Sequence, residues 1–231
     1  MMIESLEKKI LDTFSSAALF RDVDQHVVET LAQRSTLKKI TKGELLFYQD
    51  DLADAVYIVR SGCISIFMGM PDGRELVINV MRPGDTFGEI ALFTDQSRST
   101  GAMGREDAEV VSIPQQAFME IVEEEPELLR RVLEMTAQRL RVSGERESAL
   151  AFLDASARIA RVLLTLEEQT DTKGVIEITQ EDLSQHVGLT RQTVASTLGK
   201  WRRDGWVDTT RGAISIQNRG VLEHFAYKTE V

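Results

Sequence analysis

From Glu127 to about Asp154 the chain runs without a proline, and its apolar stripe steps alternately by four and three residues. The stripe passes through Leu129, Leu133, Thr136, Leu140, Ser143, Glu147 and Leu150. This is the spacing of a coiled-coil seam, so the segment predicts a long helix that pairs with a second copy of itself in a homodimer. The middle of the stripe is polar. Ser143 and Glu147 stand where leucines would stabilise best, which suits either control of register or a ligand held at the seam.

The chain before this helix has another character. Residues 4–34 carry apolar residues at helical spacing and read as short helices. From Leu37 to about Ile113 short β-rich runs succeed one another: "ELLFYQ", "AVYIVR", "CISIFMGM", "ELVINVM" and "AEVVSI". Gly43, Gly62, Gly73 and Gly84 punctuate them at positions where a turn calls for a positive φ. "PDGR", residues 71–74, reads as a hairpin turn. Short strands separated by turns predict an antiparallel barrel or roll.

After the long helix comes "ASARIARVLLTLEEQ", a second helix, and then "ITQEDLSQHVGLTRQTVASTLGKWRR". Thr179 stands as an N-cap with Asp182 three residues on, Gly188 ends that helix, and Thr190–Arg203 forms the next. Two short helices joined by a tight glycine-containing turn make a helix-turn-helix. The closing "WVDTTRGAISIQNR" reads as a β-hairpin wing.

Charge separates these parts. The chain carries −10 overall, which by itself argues against nucleic acid. Residues 1–154 hold 17 Lys and Arg against 27 Asp and Glu, whereas residues 155–231 hold 10 of each. The acidity therefore belongs to the first part. Gly188–Arg203 carries Arg191, Lys200, Arg202 and Arg203 and no acid, a cluster able to meet phosphates. A single cysteine excludes an internal disulfide, and three scattered histidines have no metal-ligand spacing. Met68, Met70, Met81, Met103 and Cys63 read as packing residues. The acidic, amphipathic start is unlike a secretion signal, and no apolar run approaches the roughly 20 residues of a membrane span. A reducing cytoplasm, with no membrane association, is the expected location. No P-loop, kinase signature or metal constellation is present, so no enzymatic activity is expected.

With these residues in hand the chain resembles the Crp/Fnr family of transcription regulators from about Leu19 to the final hairpin. The carriers are "RPGDTFGEIALFTDQSRST", "QRLRVSGERESALAFLDASARIARVLL" and "ITQEDLSQHVGLTRQTVASTL", in order and at family spacing. The "LAFLD" hinge is most similar to the cAMP-receptor branch. The resemblance implies an α+β chain in three parts: a cyclic-nucleotide-binding β-roll with flanking short helices (residues 1–126), a dimerisation helix (127–154) and a winged helix-turn-helix (155–231).

The same resemblance implies the site residues and their partners. Gly88, Glu89, Ile90, Ala91, Arg98, Ser99 and Thr100 match the family's phosphate-binding cassette. There Gly88 lets backbone amides approach a cyclic phosphate, Arg98 binds its oxygens, and Ser99 and the Thr100 amide assist. Glu89 accepts from the ribose 2′-hydroxyl and is partnered by Arg139. A Glu89–Arg139 ion pair that merely fixes the loop is the structural alternative. Ser143 matches the position that meets the adenine amino group. The cAMP-receptor branch has a second hydroxyl residue next, where this chain has Gly144. The missing bond is worth about 0.5–1.5 kcal/mol, and it keeps cyclic di-GMP, or no effector at all, open beside cAMP. No metal is implied. In the reading helix Arg191 is matched to a guanine edge, with Gln192 and Ser196 as departures from the branch pattern. Thr179, Thr190 and Thr193 hold phosphates, with Lys200 beside them. Trp201 and Trp206 are expected in the core. The implied partners are a two-fold duplex operator, a second copy of the chain and RNA polymerase. The loop "EEQTDTKGVIE", shorter than in that branch, does not carry the polymerase-contact role over. A regulatory subunit of a cyclic-nucleotide-controlled enzyme is the reading from another class, and it leaves Arg191 and its helix unexplained.

Overall fold

The first 34 residues form α1 (Met2–Ser16), a 3-10 turn (Ala18–Phe20) and α2 (Gln25–Arg34). Asp24 caps α2 by accepting from the His26 amide at 2.8 Å. The strands are β1 (Thr36–Ile40), β2 (Leu45–Phe47), β3 (Ala55–Ser61), β4 (Ile64–Gly69), β5 (Glu75–Met81) and β6 (Thr86–Phe87). The short α3 (Ile90–Thr94) interrupts them before β7 (Gly101–Gly104) and β8 (Ala108–Pro114), after which come α4 (Gln115–Glu124) and α5 (Pro126–Phe152). The computed structural model describes residues 2–69, 75–94, 96–168, 170 and 174–227, and the side chains of 2–5, 145, 146 and 148–152 lie outside that description. The turn expected at residues 71–74, with its Gly73, and Met70 are likewise outside it.

Two four-stranded antiparallel sheets, ordered β1-β8-β3-β6 and β2-β7-β4-β5, make the roll. The unbroken apolar run in "AVYIV" has a physical cause. Tyr57 and Val59 of β3, with Val110 of β8, point into the space between the sheets, where they meet Phe47, Ile64, Ile66 and Phe87. Val56, Ile58, Val111 and Ile113 point the other way and are sealed by α1, α2, α4 and the start of α5. Both faces of this sheet are therefore buried. Each of those four side chains, fully removed from water, contributes about 1.5–3 kcal/mol. Gly43, Gly62 and Gly84 take the expected positive φ.

The chain divides into two units, residues 1–139 and 140–231. In the first part of α5, Leu128 and Val132 are buried in the core of the roll, while Leu129 and Leu133 are exposed. In the second unit's part of the helix Leu140 and Val142 are exposed, as are Ser143 and Glu147. The side chain of Leu150 lies outside the described residues.

The second unit holds α6 (Ala155–Glu168), β9 (Val175–Ile176), α7 (Gln180–Val187), α8 (Arg191–Arg203), β10 (Val207–Thr210), β11 (Ala213–Ile216) and α9 (Arg219–Ala226). The wing has three strands, ordered β10-β11-β9, because Val175–Ile176 pairs with the far side of the expected hairpin. Trp201 is 1% exposed and packs with Trp206 and Phe225, joining α8, the wing and α9. Helix α9 is an addition to the elements expected from the sequence. Asn218 caps it, Leu222 and Ala226 are buried, and Arg219 pairs with Glu167 and Glu168 of α6.

Candidate functional site

β6 ends at Phe87, and Gly88 turns the chain with φ +87°. A Cβ at Gly88 would lie 2.9 Å from Arg98 Nη1 and 3.3 Å from the Tyr57 ring, so the close approach requires glycine. Glu89 and α3 come next, and the chain returns through Arg98 to β7. The Arg98 backbone is fastened on both sides: its amide donates to Asp51 O and its carbonyl accepts from the Asp50 amide, each at 2.8 Å.

The Arg98 side chain is 2% exposed. Nη1 donates to Gly88 O at 2.6 Å, and Nη2 donates to Ala55 O at 2.7 Å and to Asp54 Oδ1 at 3.3 Å. The guanidinium lies 4.4 Å from the Phe47 ring centroid, a cation–π contact. Its Nε has no partner, and neither do the buried Thr86 Oγ1 and Glu89 Oε2. Buried polar atoms left unpaired are costly, so these three are hydrogen-bonding capacity that a ligand or water would satisfy. Glu89, 1% exposed, is bonded through Oε1 to Arg139 Nη1, and Arg139 Nη2 donates to Thr86 O. The helix thus carries the positive charge that lets this carboxylate be buried.

Against this cassette lies a cavity of about 70 Å³ lined by Phe47, Ile66, Met81, Phe87, Gly88, Ile90, Ala91, Arg98, Ser99 and Thr100. Six of the residues expected from the sequence share this wall. Glu89 and Arg139 are bonded to each other and are not among the lining side chains. Phe47, Ile66, Met81 and Phe87 are additions to the expected set, and Met81, which reads as a packing residue in the sequence, lines the cavity as well. Their signal in the sequence is weak, being only aromatic and apolar residues on strands whose neighbours are unknown. The volume is below the roughly 300 Å³ of ordinary small-molecule pockets. Tyr57, stacked on Phe47 and Phe87, has its phenol pushed up to about 12 by burial and then by the Asp54 charge. Burial, with Glu106 accepting from it, also raises the Cys63 thiol, which disfavours a reactive thiolate.

The second unit presents a different surface. Gly188, in the left-handed region at φ +64°, ends α7 and turns the chain into α8. Thr190 caps α8 by accepting from the Thr193 amide at 3.2 Å, and its hydroxyl lies 2.8 Å from that of Thr193. Thr179 caps α7 by accepting from the Asp182 amide at 3.0 Å and donates to Asp182 Oδ2 at 2.7 Å. Along α8, Val194, Leu198 and Trp201 are buried, while Arg191, Gln192, Ser196 and Lys200 lie outside that core. This 3.6-residue alternation brings the last three onto one outward face, with Arg191 at the helix start. Lys200, Arg202 and Arg203 in the last turn extend the basic surface. Ser143 and Gly144 belong to the exposed surface of α5 in the second unit.

Among the described residues no group of His, Cys, Asp or Glu could hold a metal ion, and no helix is long and apolar enough to cross a membrane. Two family models match the chain. A cyclic nucleotide-binding domain covers residues 37–125, and a Crp-like helix-turn-helix domain covers residues 157–225. A cAMP-activated global transcriptional regulator of Salmonella typhimurium is 32% identical over 168 residues, 70% of this chain and 80% of that protein. A CRP-like cAMP-activated global transcriptional regulator of Mycobacterium tuberculosis is 29% identical over 202 residues, 85% and 90% respectively. Among solved structures, a CRP/FNR-family transcriptional regulator of Thermus thermophilus matches with a TM-score of 0.70 at 26% identity, covering 84% of this chain and all of that one. A c-di-GMP-responsive global regulator of Xanthomonas campestris shares the fold, with a TM-score of 0.76 at 24% identity over 84% of this chain and 99% of that one. These relatives are transcription regulators, not enzymes.

Proposed function

The chain belongs to the Crp/Fnr family of DNA-binding transcription regulators and carries its cyclic nucleotide-binding domain, and on that premise we propose that it is a cytoplasmic homodimer whose operator affinity is set by cAMP. The observation that carries the reading is Arg98. Its guanidinium is buried beside a cavity with Nε unpartnered, which suits a phosphate that takes the place of solvent.

In this reading residues 1–126 are the sensor, 127–154 the dimerisation helix and 155–231 the DNA reader. Gly88, Ile90, Ala91, Arg98, Ser99 and Thr100 form the phosphate and sugar wall. The unpaired Oε2 of Glu89 accepts from the ribose 2′-hydroxyl while Arg139 keeps the carboxylate charged. The exposed Leu129, Leu133 and Leu140 supply the seam, and Ser143 reads the adenine edge there. Gly144 leaves one fewer hydrogen bond for coupling the subunits. Arg191 reads guanine, Gln192 and Ser196 flank it, and Thr179, Thr190, Thr193 and Lys200 lie along the phosphates. A two-fold dimer requires half-sites about one helical turn apart. cAMP shifts the population toward one arrangement of the DNA readers, and the gain in DNA affinity is limited by its differential affinity for the two arrangements. RNA polymerase is the partner through which a bound dimer acts on transcription.

Calorimetric titration with cAMP, with cGMP and cyclic di-GMP alongside, tests this. Micromolar cAMP binding that disappears in Arg98→Ala is expected. Binding of cyclic di-GMP alone, or heat from cAMP that survives Arg98→Ala, refutes the assignment. Specific retention of duplex DNA in a shift assay is not expected of an enzyme's regulatory subunit and separates that class.

A further inference from the structure

The N-termini of α7 and α8 carry opposite charge. The first turn of α8 holds no acid, whereas that of α7 holds Glu181 and Asp182. Helix N-termini attract phosphates through unpaired amides and the helix dipole. At α7 the helix's own carboxylates share that attraction with any phosphate lying along Thr179. Asp182 is bonded to the Thr179 hydroxyl. Glu181 instead reaches across the turn, its Oε2 lying 3.8 Å from Arg191 Nε, with both side chains more than half exposed. This acid near the start of the reading helix therefore faces the side chain assigned to base recognition.

We propose that Glu181 is a positioning residue that sets DNA specificity by holding Arg191 off the phosphates of non-cognate DNA. This rests on Arg191 reading a base edge. Non-specific binding is driven by neutralised phosphates and the counterions they release. An arginine engaged by a neighbouring carboxylate adds little to that effect. On a cognate site the two-point contact to a guanine edge, reached from the start of α8, outcompetes the single, solvent-exposed pair with Glu181. Specificity is then gained by weakening the wrong complex rather than by strengthening the right one.

The test is fluorescence anisotropy on the full-length protein, with and without cAMP, using a duplex selected from a random pool and a scrambled duplex of equal length. Salt is varied from about 50 to about 200 mM. In Glu181→Gln the freed Arg191 neutralises one more phosphate per subunit on the scrambled duplex. The log–log salt slope then steepens by about 0.9 per engaged subunit, so the ratio of variant to parent affinity changes about 3.5-fold across that range for each subunit. The preference for the selected duplex falls correspondingly. In an Arg191→Ala background the same substitution leaves the slope unchanged. An unaltered slope in Glu181→Gln overturns the proposal, and so does equal steepening in the Arg191→Ala background, which would mean that the carboxylate acts on phosphates directly. A loss of helix stability from removing the charge would lower the melting temperature without moving the slope, and so would also overturn it. Failure of the base-reading assignment has its own signature: Arg191→Ala then leaves the preference for the selected duplex intact.

Discussion

Replacing Arg139 by methionine keeps a helix-forming side chain of similar reach and removes the charge beside Glu89. The Glu89 carboxylate is 1% exposed, its Oε1 is held by Arg139 and its Oε2 has no partner. Arg139→Met therefore leaves a buried carboxylate without a hydrogen-bond donor. Breaking a buried pair from one side costs about 3–5 kcal/mol, a large share of the roughly 5–15 kcal/mol that holds a domain folded. With a urea slope near 2 kcal/mol per M, the unfolding midpoint of residues 1–139 falls by about 1.5–2.5 M. Both tryptophans, Trp201 and Trp206, lie in the second unit. Their fluorescence follows that unit, while the remaining far-UV circular dichroism change follows the roll. The expected result is a fluorescence transition that stays in place and a roll transition that moves. Adding Glu89→Gln to Arg139→Met removes the orphan charge and restores at least half the shift, because a neutral amide is less costly to bury. A shift below about 0.5 M, equivalent to about 1 kcal/mol, refutes the reasoning, since that is the worth of a solvated surface pair.

Two further outcomes are expected at the same site. Gly88→Ala costs about 1–2 kcal/mol in backbone strain at φ +87° and presses its Cβ on Arg98 Nη1; thermal melts detect the first effect and, on the proposed cAMP reading, loss of cAMP heat detects the second. Tyr57 is raised in the fold to about 12 from 10, so its neutral form favours the folded state. Its contribution is constant below pH 10 and declines as the unfolded chain ionises between 10 and about 12. Denaturation measured across that window should lose this step in Tyr57→Phe.

Much of the fold is legible in local signals. The cap-to-cap spacing of Thr179, Gly188 and Thr190 specifies two helices and a turn because capping and the left-handed glycine act within a few residues. Turn glycines mark the strands for the same reason. The third wing strand leaves no such mark, Val175–Ile176 being two residues long, and α9 carries only the Asn218 cap and the Arg219–Glu223 pair, its eight residues being stabilised by burial of Leu222 and Ala226 and by Arg219 reaching Glu167, 52 residues away. Short elements of this kind derive their stability from tertiary packing more than from propensity.

The sequence by itself marked the strands of the roll, the long helix and the helix-turn-helix with its basic second helix, because each is written in periodicity, glycine placement or a capping motif. Only the tertiary structure decided what surrounds them. It brought Phe47, Ile66 and Met81 to the cassette's cavity, closed Arg98 onto Ala55 and Asp54, and set Arg219 of α9 against Glu167 and Glu168 of α6. These are meetings of segments distant in the chain. Local periodicity says which face of an element is apolar, but the partner that covers it, or the charge that answers a buried carboxylate, is fixed only when the whole core packs.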